Sequence, residues 1–387
     1  MGEVPCVVLQ YAVTWLRLTE NWIYWQVKYL PSHIVSHIAC ERTENLRFFS
    51  LPSIHSLLVE PFVLRIPDKA LRKLGVRQHL QFVERVARTS GSQILHSHFG
   101  HIGWRNIHAA TGAQMKHVVS FYGADMSHLP RADPKWHNRY QELFATADLI
   151  LCQGPYMATQ IESMGCPPQK MLVHALGAPV DLIEFVPRMR KKEDPLRVLI
   201  AATFQEKKGI PDALRALCIL QKRVQNIRIT IIGDATQDRR SRLEKRHIMN
   251  TLRETGLFSV TRLMGYQPSR VLREEAYKHH VFLSPSRRSA DGDSEGGAPI
   301  SLIEMAATGM PIVSTKHADI PTVVKNGESA LLAEEGNVEE LSECLFRVAA
   351  HPGEWERMGA AGRLHVEREF NASLQGRKLA RLYQTLI

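Results

Sequence analysis

Two hydrophobic rhythms alternate along this chain. Short apolar runs bounded by glycine or polar residues predict buried strands, and longer stretches with an apolar residue every third or fourth position predict helices. The runs fall at 5–12, 94–100, 118–125 and 147–152, then at 196–202, 227–233, 260–265, 281–284, 311–314 and 331–332. Helical periodicity follows the first run, with Trp22, Trp25 and Val27 on one side and Thr19 as the expected cap. It returns across 61–90, where Lys69, Arg72, Lys73, Arg77, Arg85 and Arg88 alternate with Leu71, Leu74, Val76, Leu80, Phe82 and Val83. Further helices are predicted from Ile210-Pro211 and over 366–386. Strands separated by helices predict parallel sheets covered on both faces. The rhythm breaks at 186–195, a charged segment with a proline near each end, which reads as a linker. The expected organisation is therefore a first domain 1–185, the linker 186–195, a second domain 196–365 and a terminal helix 366–387.

One stretch, 291–315, carries chemistry. A polar loop from Asp291 to Gly297 runs into Ala298 and Pro299, then an apolar helix through Ile300, Ile303, Ala306 and Ala307 that Gly309 closes. Gly296 and Gly297 just before a helix N-terminus make a ready anion site. Glu295 and Glu304 bracket it, which suits a ligand that is phosphate at one point and hydroxyl-rich at others. A nucleotide sugar is such a ligand. The turn Thr203 to Gly209 adds Lys207 and Lys208 between a strand and a helix, where ammonium groups reach a diphosphate. In the first half, two strands end in His98-Phe99-Gly100 and Tyr122-Gly123-Ala124-Asp125. Polar residues at the carboxyl ends of parallel strands are where open α/β sheets hold ligands.

Charge and cysteine usage narrow the classes. The net charge of +10 divides evenly, about +5 in each half, so no basic arm points to nucleic acid. The basic region 61–90 reads as one or two surface helices packing on a sheet, with peripheral contact to an anionic membrane surface as the alternative. No apolar run reaches the ~18 residues a spanning helix needs. The apolar segment 4–16 follows Glu3 rather than a basic stretch and reads as the first strand, not a secretory signal. Six scattered cysteines without a Cys-x-x-Cys pair fit a reducing cytoplasm and give no metal framework.

These motifs together resemble the retaining GT-B glycosyltransferases of the group 1 or family 4 type, similar to bacterial exopolysaccharide (colanic-acid-type) transferases. The resemblance spans nearly the whole chain and is densest over 260–335. It implies an α/β GT-B architecture: two Rossmann-like domains facing across a cleft, with a C-terminal helix crossing back to the first. It implies a donor site in which Glu304 holds ribose hydroxyls and Glu295 the sugar, with Lys208 at the lysine of an Arg-x-x-x-x-Lys-Gly signature. Gly265 lies in the stretch beside the nucleobase. Gly296, Gly297, Ala298 and Pro299 receive the diphosphate. The chain departs from the pattern at three points. Eight residues rather than seven separate Glu295 and Glu304, Thr203 stands where the signature has arginine, and Tyr122 stands where His-Gly-x-Asp has histidine. Arg287 and Arg288 are candidates for the missing charge, and His98 is the alternative imidazole.

The implied activity is transfer of a sugar from a nucleotide-diphosphate sugar to a saccharide or lipid-linked acceptor in surface polysaccharide biosynthesis. The leaving diphosphate acts as base, so the catalytic set is Lys208, Glu295, His98 and Tyr122 without a protein nucleophile. The resemblance also implies metal independence, although Asp291-Gly-Asp293 looks like an Asp-x-Asp, and no cofactor beyond the co-substrate. The alternatives are a nucleotide-sugar-binding protein with a lapsed active site and a GT-B epimerase or phosphorylase.

Overall fold

The computed structural model describes residues 5–191 and 193–387; Glu3 and Val4 of the opening segment and Lys192 of the predicted linker lie outside the described residues. The chain divides into two compact units, Met1–Gly177 with Ala372–Ile387, and Ala178–Asn371.

The first unit is a parallel sheet of seven strands: β1 (Cys6–Trp15), β2 (Ile34–Thr43), β3 (Ile54–Ser56), β4 (Ile94–His98), β5 (Lys116–Ser120), β6 (Leu149–Cys152) and β7 (Met171–Val173). Their spatial order is β3-β2-β1-β4-β5-β6-β7. The second unit holds six: β8 (Leu196–Ala201), β9 (Ile227–Ile232), β10 (Thr261–Leu263), β11 (Val281–Ser284), β12 (Ile312–Thr315) and β13 (Ala330–Ala333), in the order β10-β9-β8-β11-β12-β13. Both are doubly wound. The chain builds outward from β1, or from β8, to one edge, then returns to build the other side. The strand order thus reverses between β1 and β4, and between β8 and β11. At such a reversal the turns after the two strands diverge and leave a crevice. In the second unit these are the turn after Ala201 and the loop after Ser284.

Central strands explain why the runs were readable. Val198, Leu199 and Ile200, or Ile229 and Ile231, are buried because helices cover both sheet faces. Three strands escaped the pattern. Strand β2 interleaves Ser36, His37, Glu41 and Arg42 with its apolar residues, and β3 and β7 are edge strands of three residues.

Three local expectations need correction. The first helix is Asn21–Lys28 with Glu20 at its N-cap position, so Thr19 does not cap it. The segment read as a linker is tied into the second unit by Arg188, which is 5% exposed. Its guanidinium donates to the carbonyls of Ala276, His279 and Thr308 at 3.0–3.1 Å, filling its donors with backbone acceptors. The terminal helix is two, Trp355–Glu369 and Ala372–Gln384. The break comes at Phe370-Asn371, where the Phe370 carbonyl accepts the Ala178 amide and the Asn371 amide donates to Asp181.

The helix Ala372–Gln384 buries Leu379, Ala380 and Tyr383 against Val8, Ile94 and Val118 of the first sheet. Gly376 permits this approach, since a Cβ there would lie 2.1 Å from the Tyr29 carbonyl oxygen. Replacing a helical glycine by alanine ordinarily gains up to ~1 kcal/mol. Gly376→Ala should reverse that sign and cost about 2 kcal/mol, because backbone must move. Denaturant unfolding measures it; an unchanged or raised midpoint would refute the packing described.

Candidate active site

The second unit's crevice is closed at its base by glycine. Gly209 has φ +63°, and a Cβ on it would sit 2.0 Å from the Pro285 carbonyl oxygen. The turn after β8 and the loop after β11 can touch only because that atom is missing. Lys208 and Glu295 are brought together there, with Nζ 2.7 Å from Oε2. The Ser286 hydroxyl donates to the other carboxylate oxygen at 2.7 Å. The Glu295 amide donates to His317 Nε2 at 3.1 Å, which puts that ring's proton on Nδ1, facing Glu335 Oε1 at 2.7 Å. Burial alone would raise the Glu295 carboxyl, but the charges of Lys208 and Lys207, with hydrogen bonds from Lys208 and Ser286, hold it down at about 2.

Lys207 and Lys208 are neighbours with different duties. Lys207 is 8% exposed, and its ammonium is taken up by Asp293 and the Ser294 carbonyl at 3.0 Å. It therefore anchors the loop rather than presenting a free charge to a ligand. Arg287 lies beside it, its amide on the Lys207 carbonyl and its guanidinium 2.8 Å from Asp212. Thr203 lies near Tyr266, which follows Gly265 at φ +65°.

From Glu295 the backbone turns through Gly296, at φ +77°, then Gly297, Ala298 and Pro299 before the helix Ile300–Ala307 begins. The separation between the two glutamates thus includes a non-helical Gly-Gly turn that can absorb a residue without rotating the helix. Glu304 faces inward from that helix, 2% exposed, and Oε1 has no hydrogen-bond partner among the described residues. Burial pushes its carboxyl up to about 7, with Arg273 opposing weakly. A buried carboxylate oxygen without a partner is costly unless a ligand's donors satisfy it.

In the first unit, His98 and Tyr122 meet: the ring Nδ1 is 2.6 Å from the phenol oxygen. His98 Nε2 faces Gln10 Oε1 at 3.1 Å, and the Gln10 amide reaches the Tyr383 hydroxyl, also at 3.1 Å. Tyr383 in turn sits 2.6 Å from His96 Nδ1, and His96 Nε2 lies 2.8 Å from Ser120 Oγ. Because the Gln10 oxygen can only accept, His98 carries its proton on Nε2, and Nδ1 accepts from Tyr122. Burial pushes His98 down to about 3, so the ring stays neutral near pH 7. Asp125 fixes the adjoining loop by accepting the amides of Gly100, Tyr122 and Gly123 at 2.7–3.0 Å.

Residues 183–365 match the family described as Glycosyl transferases group 1. The amylovoran biosynthesis glycosyltransferase AmsK of Erwinia amylovora is 31% identical over 293 residues, 75% of this chain and 69% of that one. The chain belongs to the group 1 glycosyltransferases. Solved structures agree with this transferase in fold at low identity. Sucrose-phosphate synthase from Thermosynechococcus elongatus has a TM-score of 0.76 at 15% identity, covering 98% of this chain and 99% of that one. Anabaena Alr3699/HepE in complex with UDP-glucose has a TM-score of 0.77 at 12%, with the same coverage. The fold is GT-B.

Sequence reasoning missed the transferase's supporting residues Ser286, His317 and Glu335. Ser286 and His317 bond to Glu295, and Glu335 fixes the His317 ring; the three come from different loops, and no local motif marks them.

Two outcomes test this geometry. Lys208→Ala leaves a buried carboxylate unpaired and should cost about 3 kcal/mol. Adding Glu295→Gln should recover most of it in a double-mutant cycle by urea denaturation; additive losses would deny the coupling. Glu304 ionises near 4.5 when unfolded and about 7 when folded, so its stabilising proton is lost as pH rises through 7. Glu304→Gln should therefore stabilise the unliganded transferase by up to about 3 kcal/mol at pH 8 and be neutral at pH 4. Equal shifts at both pH values would refute the burial argument.

Proposed function

We propose that this transferase moves a sugar from a nucleotide-diphosphate sugar to a saccharide or lipid-linked acceptor, with retention at the anomeric carbon and without a metal, in bacterial surface polysaccharide biosynthesis. The observation carrying the reading is Glu304, a buried carboxylate with an unfilled acceptor in the helix next to the paired Lys208–Glu295. Ribose hydroxyls are donors of the kind that fill it. Lys208 and the amides opening the helix Ile300–Ala307 supply positive potential where the leaving diphosphate gathers charge.

Glu295 already has Lys208 and Ser286 on its oxygens, which favours a sugar-hydroxyl acceptor over a nucleophile. The leaving phosphate then takes the acceptor's proton, in keeping with retention. Metal independence is supported by the loop acids, since Asp291 pairs with Arg240 and Asp293 with Lys207. His98, held neutral, positions the Tyr122 hydroxyl and does not serve as an acid. The amylovoran-biosynthesis relative favours a polysaccharide product. Peripheral contact with the cytoplasmic face of a membrane is supported by the helix Phe62–Lys73, where Phe62 and Val63 are exposed beside basic residues.

A thermal-shift screen of nucleotide sugars identifies the donor, and NMR of the product then reads its anomeric configuration. Retained configuration, with turnover unaffected by EDTA, is expected; inversion would overturn the mechanism. Donor hydroxyls favour ionised Glu304, so donor affinity should fall as pH drops below about 7, by up to about tenfold per pH unit. Calorimetry showing no pH dependence between 8 and about 5.5 would remove Glu304 from the donor contacts.

A further inference from the structure

The first unit contains a charged cavity that the donor chemistry does not use. It has a volume of about 590 Å3 and is bounded by the helix Phe62–Lys73, the turn after it and the helix Gly100–Gly112. Lys69, Arg72, Lys73, Arg77 and Arg105 line it against a single carboxylate, Glu41. Glu41 is committed to Arg72, which it binds through both oxygens at 2.6 and 2.8 Å. The acid nearest Arg77, Asp68, is 3.9 Å away and accepts the amides of Gln81 and Phe82. Among the described residues Arg105 has no hydrogen-bond or ion-pair partner. Burial, then the charge of Arg72, pushes its guanidinium down, as crowded cations do.

The cavity continues inward to a recess shared by Glu41, Arg72 and Arg105, where Gln78 and His79 form the end wall. Among the described residues, Gln78 Oε1 and His79 Nδ1 are both buried without a hydrogen-bond partner. His79 is 6% exposed and its other nitrogen is 2.7 Å from Glu84. The recess therefore presents two unpaired polar atoms, and the wall outside it is strongly cationic. Beside that wall the surface is apolar: Phe62, Val63, Leu74 and Val76 are 66–76% exposed on the same helix and the turn after it.

We propose that this cavity binds the phosphate headgroup of a lipid, a phosphomonoester or diphosphate, whose hydrocarbon lies against Phe62, Val63, Leu74 and Val76. Guanidinium groups suit phosphate oxygens through paired donors, and lysines on the rim add attraction to an anionic surface. Resting on the glycosyl-transfer reading, the bound lipid is the acceptor.

The experiment uses the full chain with phosphatidylcholine vesicles carrying about 10 mol% phosphatidic acid, against phosphatidylglycerol vesicles of matched zeta potential. Phosphatidic acid should be preferred by about tenfold, since the monoester adds an ionisable oxygen for paired donors. Arg105→Gln should abolish the preference while melting temperature and nucleotide affinity stay unchanged; Lys69→Gln, on the open wall, should weaken it if Arg105→Gln fails to fold. Equal binding to the two vesicles overturns the proposal, as does a preference that survives both substitutions. Inorganic diphosphate bound with no preference among vesicles also overturns it, assigning the cavity to a free anion. Preserved vesicle preference without any sugar transfer would instead refute the transferase mechanism and leave the lipid site standing.

Discussion

The buried ion pair of Lys208 and Glu295 is the contact on which the second unit's crevice depends. Such a pair contributes little net stability, because desolvation offsets its Coulomb attraction. Its value is positional. Pairing requires β8 beside β11, which the doubly wound strand order supplies, and it requires Gly209 beneath Pro285, where no side chain fits. Once made, it draws Ser286, His317 and Glu335 into a shell that fixes Glu295 through both carboxylate oxygens and its amide. Lys207 performs the same task one step outward, holding the loop at Asp293 and Ser294.

Against that satisfied carboxylate stands Glu304, on the next helix and in the opposite state. Both are buried. One is held ionised by lysines, and the other is left with an empty acceptor and a carboxyl near neutrality. Environment drives these two like residues apart. The first is preorganised, while the second is unfavourable until something donates to it. The first unit handles its imidazoles differently, burying His96 and His98 in a chain of hydrogen bonds that fixes the neutral tautomer of His98. That chain makes His98 a support for Tyr122.

Much of this was legible beforehand. Strand-helix alternation gave the parallel sheets, because central strands buried on both faces must be apolar throughout. The Gly-Gly turn before an apolar helix marked the loop that carries Glu295, and the lysine turn marked its partner Lys208. What escaped has a common cause: partners distant in sequence. Spacing does not tell which carboxylate each of Lys207 and Lys208 meets, since Asp293 and Glu295 lie 86 and 87 residues away. A charged run hides a buried arginine when its acceptors are carbonyls of other elements, as at Arg188. The fate of His98 depends on Gln10, and that of His96 on Tyr383, 287 residues on.

Tyr383 also bears on how the molecule is made. The second unit is one continuous segment, 178–371, whereas the first needs residues on both sides of it. On the ribosome, domains acquire structure as their residues emerge. Here the unit begun earliest waits for the helix bearing Leu379 and Tyr383, so the one begun later has all its residues first. Until then the sheet face around Val8, Ile94 and Val118 remains uncovered, a nascent surface that chaperones have reason to hold.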